Sequence, residues 1–193
     1  MITSRDPLRE TEDAVRGGIR IVQYRDKTSL KGELLRIAGR LRKITADAGV
    51  RLIINDHADL AVAVGADGVH LGQDDLPIEA VRPIVPENMI IGLSTHSREQ
   101  ALDALRRGAD YIGCGPIFAT PTKADYPPVG MALLEWAMKN IPIPVVAIGG
   151  IELENLPQVR QAGARNAAMV RAFAEDTAQR VRAVSVPINF LVG

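Results

Sequence analysis

Charged side chains follow several short apolar runs of this sequence, and their types suit a phosphorylated ligand. Arg25 and Lys27 follow one run, and Lys123 lies in a long loop after a later one. Asp56 and Asp75 follow two further runs. Carboxylates supply the oxygen ligands that Mg²⁺ prefers, and cations stabilise the negative charge of a departing diphosphate. Gathered at one place, the five residues would form a site for diphosphate chemistry.

Each of these residues also has an ordinary structural interpretation. Arg25 and Lys27 could belong to a solvated rim. Asp56 could cap the helix that follows it, and Asp75 could cap a helix that begins near Pro77. These alternatives remain open until the neighbours of each side chain are known.

The cysteine and the histidines are weaker candidates for chemistry. Cys114 lies inside an apolar run, so we expect a buried core residue rather than a nucleophile. The histidines lack the spacing of paired metal ligands, and we expect His57, His70 and His96 to be structural or rim residues.

The apolar runs alternate with segments of helical periodicity, which is typical of a parallel sheet covered by helices. The runs span residues 19–23, 52–54, 68–71, 89–93, 111–114, 145–148 and 167–170. The helical segments include residues 34–44, 101–105 and 153–162. With a stub at residues 1–3 the runs number eight, at about 24 residues per unit. The pattern predicts one domain over residues 1–193, a compact (β/α)₈ TIM barrel with a shortened first strand. A doubly wound open sheet is the alternative.

The joints between helices and strands repeat one pattern that contains glycine, at residues 48–50, 64–68, 107–110 and 162–164. Glycine there can end a helix in the left-handed conformation, and the repetition favours duplicated units. In such a barrel the active site lies at the carboxyl ends of the strands, where the charged residues named above would meet. Gly149 and Gly150 would let backbone N–H groups approach a phosphate at the same end.

Composition excludes several classes of function. The 193 residues hold 23 basic and 23 acidic side chains, so the chain lacks the positive surplus of a nucleic-acid binder. No run approaches the roughly 18 consecutive apolar residues that a membrane-spanning helix needs. A single cysteine and an N-terminus without an apolar signal region lead us to expect a cytoplasmic protein, with a homo-oligomer left open.

Between about residues 15 and 173 the chain resembles the thiamine phosphate synthases. The order and spacing of the matching segments are more specific than any one of them. The segments are QYRDK at 23–27, IND at 54–56, GVHLGQDDL at 68–76, GLSTH at 92–96, GADYIGCGPIF at 108–118, TPTK at 120–123 and VVAIGGI at 145–151.

The resemblance implies a Mg²⁺-dependent transferase that joins hydroxymethylpyrimidine diphosphate to thiazole phosphate and releases diphosphate. It implies that the pyrimidine diphosphate contacts Gln23, Arg25, Lys27, Asn55, Ser94 and Lys123. It implies that the Mg²⁺ ligands are Asp56 and Asp75. It implies that the thiazole phosphate contacts Thr120, Thr122, Gly150, Val170 and Arg171, although the family often has serine where Arg171 stands. The residues expected to serve the chemical step are Arg25, Lys27, Lys123 and Ser94.

The family mechanism requires no protein nucleophile, which agrees with the absence of a convincing catalytic triad. Diphosphate leaves first, the aminopyrimidine stabilises the resulting methylene cation, and the thiazole nitrogen attacks it. The loop at residues 115–129 would close to exclude water, which would consume the cation. Two other functions remain open: a thiazole tautomerase-like relative, and a non-catalytic regulatory barrel that binds a phosphorylated ligand.

Overall fold

Seven parallel strands form one sheet in the computed structural model, which describes residues 6–120, 127–169 and 178. Within these residues the strands lie side by side in chain order, and every neighbouring pair is parallel. They are β1 (Ile21–Tyr24), β2 (Arg51–Asn55), β3 (Gly68–Leu71), β4 (Ile90–Thr95), β5 (Tyr111–Cys114), β6 (Val145–Ile148) and β7 (Asn166–Ala168).

Helices precede β1 and connect the successive strands. They are α1 (Pro7–Arg16), α2 (Lys31–Asp47), α3 (Ala58–Val64), α4 (Ile78–Val81) with a 3₁₀ turn (Arg82–Ile84), α5 (Arg98–Arg106), α6 (Gly130–Asn140) and α7 (Leu156–Gln161). A doubly wound sheet would reverse its strand order at one point, and this sheet does not. The predicted TIM-barrel-like fold is therefore confirmed. The stub at residues 1–3 and the apolar tail at residues 185–193 lie outside the described residues.

The outward face of the sheet forms the main hydrophobic core. Val22, Leu52, Val69 and Ile112 are buried there, each on a different strand. Helix α2 adds a stripe of side chains at helical spacing, which includes the buried Leu41. Because burying one such leucine contributes about 2 kcal/mol, this shell supplies much of the free energy that stabilises the fold. The inward face of the sheet can therefore carry polar groups.

The inward face lines a pocket, and each of the seven strands contributes one residue to it: Gln23, Asn55, His70, Ser94, Gly113, Ile148 and Ala168. Three pairs of neighbours in this series are direct register partners: Asn55 with His70, Ser94 with Gly113, and Ile148 with Ala168. In the other three pairs, the register partner lies two residues before the lining residue of the next strand. Gln23, for example, pairs with Ile53, whereas the lining residue of β2 is Asn55. The stagger averages one residue per strand pair, which is the shear of a closed eight-stranded barrel.

Most predicted element positions are confirmed, and several boundaries are corrected. The runs at 68–71, 111–114 and 145–148 coincide with β3, β5 and β6. Strand β4 extends to Thr95 because its polar residues are paired within the sheet: the Thr95 hydroxyl donates to the Gly113 carbonyl at 3.1 Å. The four joint glycines all have the predicted left-handed backbone, at Gly49, Gly65, Gly108 and Gly163.

Two of the joints also carry the same carboxylate clamp. Asp67, just before β3, accepts hydrogen bonds from the Leu52 N–H and the Arg42 guanidinium, both at 2.7 Å. Asp110, just before β5, accepts from the Ile91 N–H at 2.7 Å and from an arginine of the 3₁₀ turn at 2.8 Å. Each clamp ties the start of one strand to its predecessor. The joint before β7 has Arg165 at the corresponding position.

We expect Asp67→Ala and Asp110→Ala each to lower the free energy of unfolding by about 1–2 kcal/mol, because each leaves a strand N–H without its acceptor. Urea denaturation would measure the loss. Asp103→Ala is the matched control, because this carboxylate pairs with arginines on the exposed surface of α5 and should change stability by less than about 0.5 kcal/mol. Equal losses of stability from all three substitutions would contradict the stabilising role of the two clamps.

Candidate active site

Two carboxylates from neighbouring strand ends meet at the mouth of the barrel. Asp56, directly after β2, and Asp75, in the loop after β3, lie close enough for the two carboxylates to interact. Asp75 Oδ2 also accepts the Gly72 N–H at 2.6 Å. Lys27 Nζ lies 3.2 Å from Asp56 Oδ2. Burial and the neighbouring Asp75 raise the pKa of Asp56, whereas Lys27 opposes that shift.

The donor chemistry of this pair suits Mg²⁺. Two adjacent carboxylates repel each other when ionised, and a divalent cation between them removes that repulsion. Among the described residues, no group of three or more His, Cys, Asp or Glu side chains could hold a metal. A pair of carboxylates is nevertheless sufficient for Mg²⁺, which usually takes its remaining ligands from water and substrate phosphates.

The backbone at Asp56 is adapted to this position. Its φ of 65° is left-handed, which is rare for a residue other than glycine, and its N–H donates to the His70 carbonyl at 2.8 Å. Strained residues of this kind are concentrated at functional sites. The capping alternatives are wrong, since α3 begins after His57 and α4 begins after Pro77 without any side-chain cap.

The loop after β1 presents the two basic side chains predicted for this mouth. Asp26 organises the loop by accepting hydrogen bonds from the N–H and hydroxyl groups of Thr28 and Ser29, at 2.7–3.1 Å. Although burial opposes the shift, these bonds hold the pKa of Asp26 well below its ordinary value. Arg25 and Lys27 flank this turn, Arg25 lining the pocket and Lys27 reaching Asp56.

The opposite wall of the pocket consists largely of backbone. The Ile117 and Phe118 N–H groups donate to the carbonyls of Ile148 and Gly149, at 2.9 and 3.0 Å, which joins the loops after β5 and β6. A Cβ at Gly150 would lie 2.7 Å from the Ala119 oxygen, so the two loops meet only because this side chain is absent. Backbone uncovered by side chains fits a phosphate, which accepts hydrogen bonds from N–H groups.

The structure brings together the predicted site residues that it describes. One pocket is lined by Gln23, Arg25, Asn55, Ser94, Thr120 and Gly150, and Asp56, Asp75 and Lys27 adjoin it through the contacts given above. Thr122, Lys123, Val170 and Arg171 lie outside the described residues, as does the middle of the loop at 115–129. Their contributions stay predictions.

The expectation for the cysteine is confirmed, whereas the roles of the histidines stay predictions. Cys114 is buried, as predicted, and burial raises the pKa of its thiol to about 12. His70 is buried inside the barrel and lines the pocket together with His96. Glu152 also lines this pocket and was not anticipated. The sequence feature that could have identified His70 as a pocket residue is its position, since it is a polar residue at an inward position of an otherwise apolar strand.

The side chains of Tyr111, His70 and Ser94 form a hydrogen-bonded group inside the barrel. The Tyr111 hydroxyl is 2.9 Å from His70 Nδ1, and His70 Nε2 is 2.9 Å from the Ser94 hydroxyl. Gln23 lies beside the Tyr111 hydroxyl. Burial raises the pKa of Tyr111, so its phenol remains a hydrogen-bond donor.

None of the helices among the described residues is both long and apolar enough to cross a membrane.

Comparison with known proteins identifies the family. The sequence model described as thiamine monophosphate synthase matches residues 1–173. The thiamine-phosphate synthase of Pelotomaculum thermopropionicum is 49% identical over 178 residues, which are 91% of this chain and 82% of the relative. That of Shouchella clausii is 51% identical over 161 residues, covering 83% of this chain and 77% of the relative.

A solved structure agrees with the sequence relatives. The thiamine phosphate pyrophosphorylase from Pyrococcus furiosus superposes with a TM-score of 0.90 at 35% identity, over 100% of this chain and 95% of that one. With its carboxylate pair, basic loop and glycine-lined wall at one barrel mouth, this chain belongs to the thiamine monophosphate synthase family.

Proposed function

We propose that this chain is a thiamine phosphate synthase that joins hydroxymethylpyrimidine diphosphate to thiazole phosphate and releases diphosphate. The chain is an enzyme of thiamine biosynthesis and a transferase by its family. The observation that carries the substrate assignment is the contact of Asp56 with Asp75 beside Lys27 and the Arg25 loop. Such a combination of paired carboxylates and cations favours a substrate that carries a diphosphate. We expect the enzyme to work in the cytoplasm.

Asp56 and Asp75 would hold Mg²⁺. When bound, the ion would neutralise charge that accumulates on the departing diphosphate. Lys27, at 3.2 Å from Asp56, already partly compensates the negative charge of the pair. The site therefore combines anionic and cationic groups within a few ångströms, which suits a ligand whose charge is shared between a metal and basic side chains.

In the chemical step the bond between the pyrimidine methylene carbon and the diphosphate oxygen breaks, and both electrons leave with the oxygen. Arg25, Lys27 and Lys123 stabilise the charge that develops on the diphosphate. Gln23, Asn55 and Ser94 hold the pyrimidine ring, which stabilises the methylene cation until the thiazole nitrogen attacks.

The second substrate would occupy the glycine-lined wall. Thr120, Thr122 and Gly150 would bind the thiazole phosphate, with Val170 and Arg171 completing its site. Because the pocket is enclosed by one residue from each of seven strands, the cation would form where water has limited access.

Mixing the purified chain with both phosphorylated substrates and Mg²⁺ tests this proposal. We expect thiamine phosphate and diphosphate to form in equal amounts, detected by chromatography and by a coupled diphosphate assay. Rearrangement of a thiazole substrate alone would instead support a tautomerase. Binding of a phosphorylated ligand without turnover would support a regulatory barrel, and either result would overturn the synthase assignment.

We expect Asp56→Asn to reduce kcat/KM by at least about a hundredfold, because it removes a ligand for the charge-neutralising ion. Asparagine tolerates the left-handed backbone better than alanine does, so the substitution tests charge rather than folding. Asp59→Asn is the matched control, three residues further on and exposed at the surface of α3. A rate for Asp56→Asn within threefold of the control would refute the assignment.

We expect His57→Ala to leave kcat within about tenfold of the unsubstituted enzyme, because no step requires an imidazole at this position. His57 acts through its backbone: its N–H donates to the Asn55 carbonyl at 2.8 Å, and its carbonyl accepts from Ala61 at 3.0 Å. Steady-state kinetics with both substrates would measure the effect. A thousandfold loss in a folded variant would mean that the mechanism uses acid–base catalysis.

A further inference from the structure

Three polar side chains from three strands form a hydrogen-bonded chain inside the barrel, and a side chain from a fourth strand lies beside it. Gln23 of β1 contacts the Tyr111 hydroxyl of β5. That hydroxyl lies 2.9 Å from Nδ1 of His70 on β3, and His70 Nε2 lies 2.9 Å from the Ser94 hydroxyl on β4. The hydrogen-bonded chain thus runs from Tyr111, behind the pocket wall, through His70 to Ser94, and the last two residues line the pocket.

The chemistry of these groups gives the chain a direction. Burial raises the pKa of Tyr111, so the phenol keeps its hydrogen, and an imidazole nitrogen is a stronger hydrogen-bond acceptor than a phenolic oxygen. The single phenolic hydrogen is then available for His70 Nδ1. A neutral imidazole that accepts at Nδ1 carries its hydrogen on Nε2, so it donates to the Ser94 oxygen. The remaining donor is the Ser94 hydroxyl hydrogen.

We propose that His70 and Tyr111 are positioning residues that make the Ser94 hydroxyl a hydrogen-bond donor toward an acceptor atom of the pyrimidine diphosphate. This inference rests on the proposed function for the identity of the substrate. Both residues would act through Ser94 rather than on the reacting atoms. A serine hydroxyl can either donate or accept a hydrogen bond, and His70 and Tyr111 would leave Ser94 free only to donate. The site would therefore favour a ligand with an acceptor atom next to Ser94.

The barrel interior makes room for both rings. A Cβ at Gly113 would lie 3.2 Å from His70 Cε1, and a Cβ at Gly92 would lie 2.1 Å from the Tyr111 ring. The two rings are held 5.4 Å apart between centroids. Glycines at these two inward positions therefore allow an arrangement in which both imidazole nitrogens have partners.

The tautomer of His70 tests the direction of the chain without any substrate. In ¹⁵N-labelled protein at pH 8, two-bond ¹H–¹⁵N spectra should show His70 as the Nε2–H tautomer, with its signals identified by their loss in His70→Gln. Tyr111→Phe removes the donor to Nδ1, and we expect the Nδ1–H form to become populated. An Nδ1–H tautomer in the unsubstituted protein would overturn the proposal.

A double-substitution cycle tests whether Tyr111 acts through Ser94. We expect Tyr111→Phe and Ser94→Ala each to weaken binding of the pyrimidine diphosphate by about tenfold, the effect of one lost hydrogen bond. The double variant should bind like Ser94→Ala alone, because the relay then has no endpoint. Calorimetric titration in the presence of Mg²⁺ would measure the dissociation constants. Multiplicative losses would contradict the relay and indicate a merely structural role.

Two substitutions of His70 provide a matched pair. Glutamine places an N–H near the position of Nε2 and should keep binding within about threefold, whereas asparagine is too short to reach Ser94 and should match Ser94→Ala. Equal losses from both would also contradict the proposal. If the unsubstituted enzyme forms no thiamine phosphate, the proposed function fails, while the tautomer result still decides the direction of the hydrogen bonds.

Discussion

The repulsion between two neighbouring carboxylates is the constraint on which the site depends. Asp56 and Asp75 lie close together beyond the ends of adjacent parallel strands, where burial and the neighbouring Asp75 raise the pKa of Asp56. Lys27 offsets part of that cost. The left-handed backbone of Asp56 and the bond from Gly72 to Asp75 keep the two groups together despite their repulsion. The fold thus holds two carboxylates whose mutual repulsion a bound divalent cation would relieve.

A polar interior inside an apolar shell makes this arrangement stable. The outward faces of the strands form the main hydrophobic core with the helices, so the inward faces are free to carry amides, hydroxyls, an imidazole and glycines. Because His70, Ser94 and Thr95 have hydrogen-bond partners, these buried side chains avoid the penalty of unsatisfied polar groups. The Tyr111, His70 and Ser94 contacts illustrate this, and they link three strands in a layer that has little apolar packing.

Local patterns predicted the strands, the joint glycines and the residues at the strand ends, because these follow from periodicity and turn chemistry. Strand register could not be obtained in this way, although it determines which inward residues meet. The pattern predicts His70 as a structural or rim residue and Tyr111 as part of an apolar run, whereas their pairing depends on both being register partners of Gly92 on β4. The end of β4 was missed for a related reason: Ser94 and Thr95 continue the strand only because other strands supply their partners.

The clamps at Asp67 and Asp110 distribute rigidity unevenly around the barrel. They tie β2 to β3 and β4 to β5, whereas the joint leading into β7 has Arg165 at that position, and β7 spans only three residues. With Arg165 in place of an aspartate, the start of β7 has no carboxylate to accept the N–H of a neighbouring strand. Separating β7 from β6 would therefore break one such hydrogen bond fewer than separating β3 from β2 or β5 from β4.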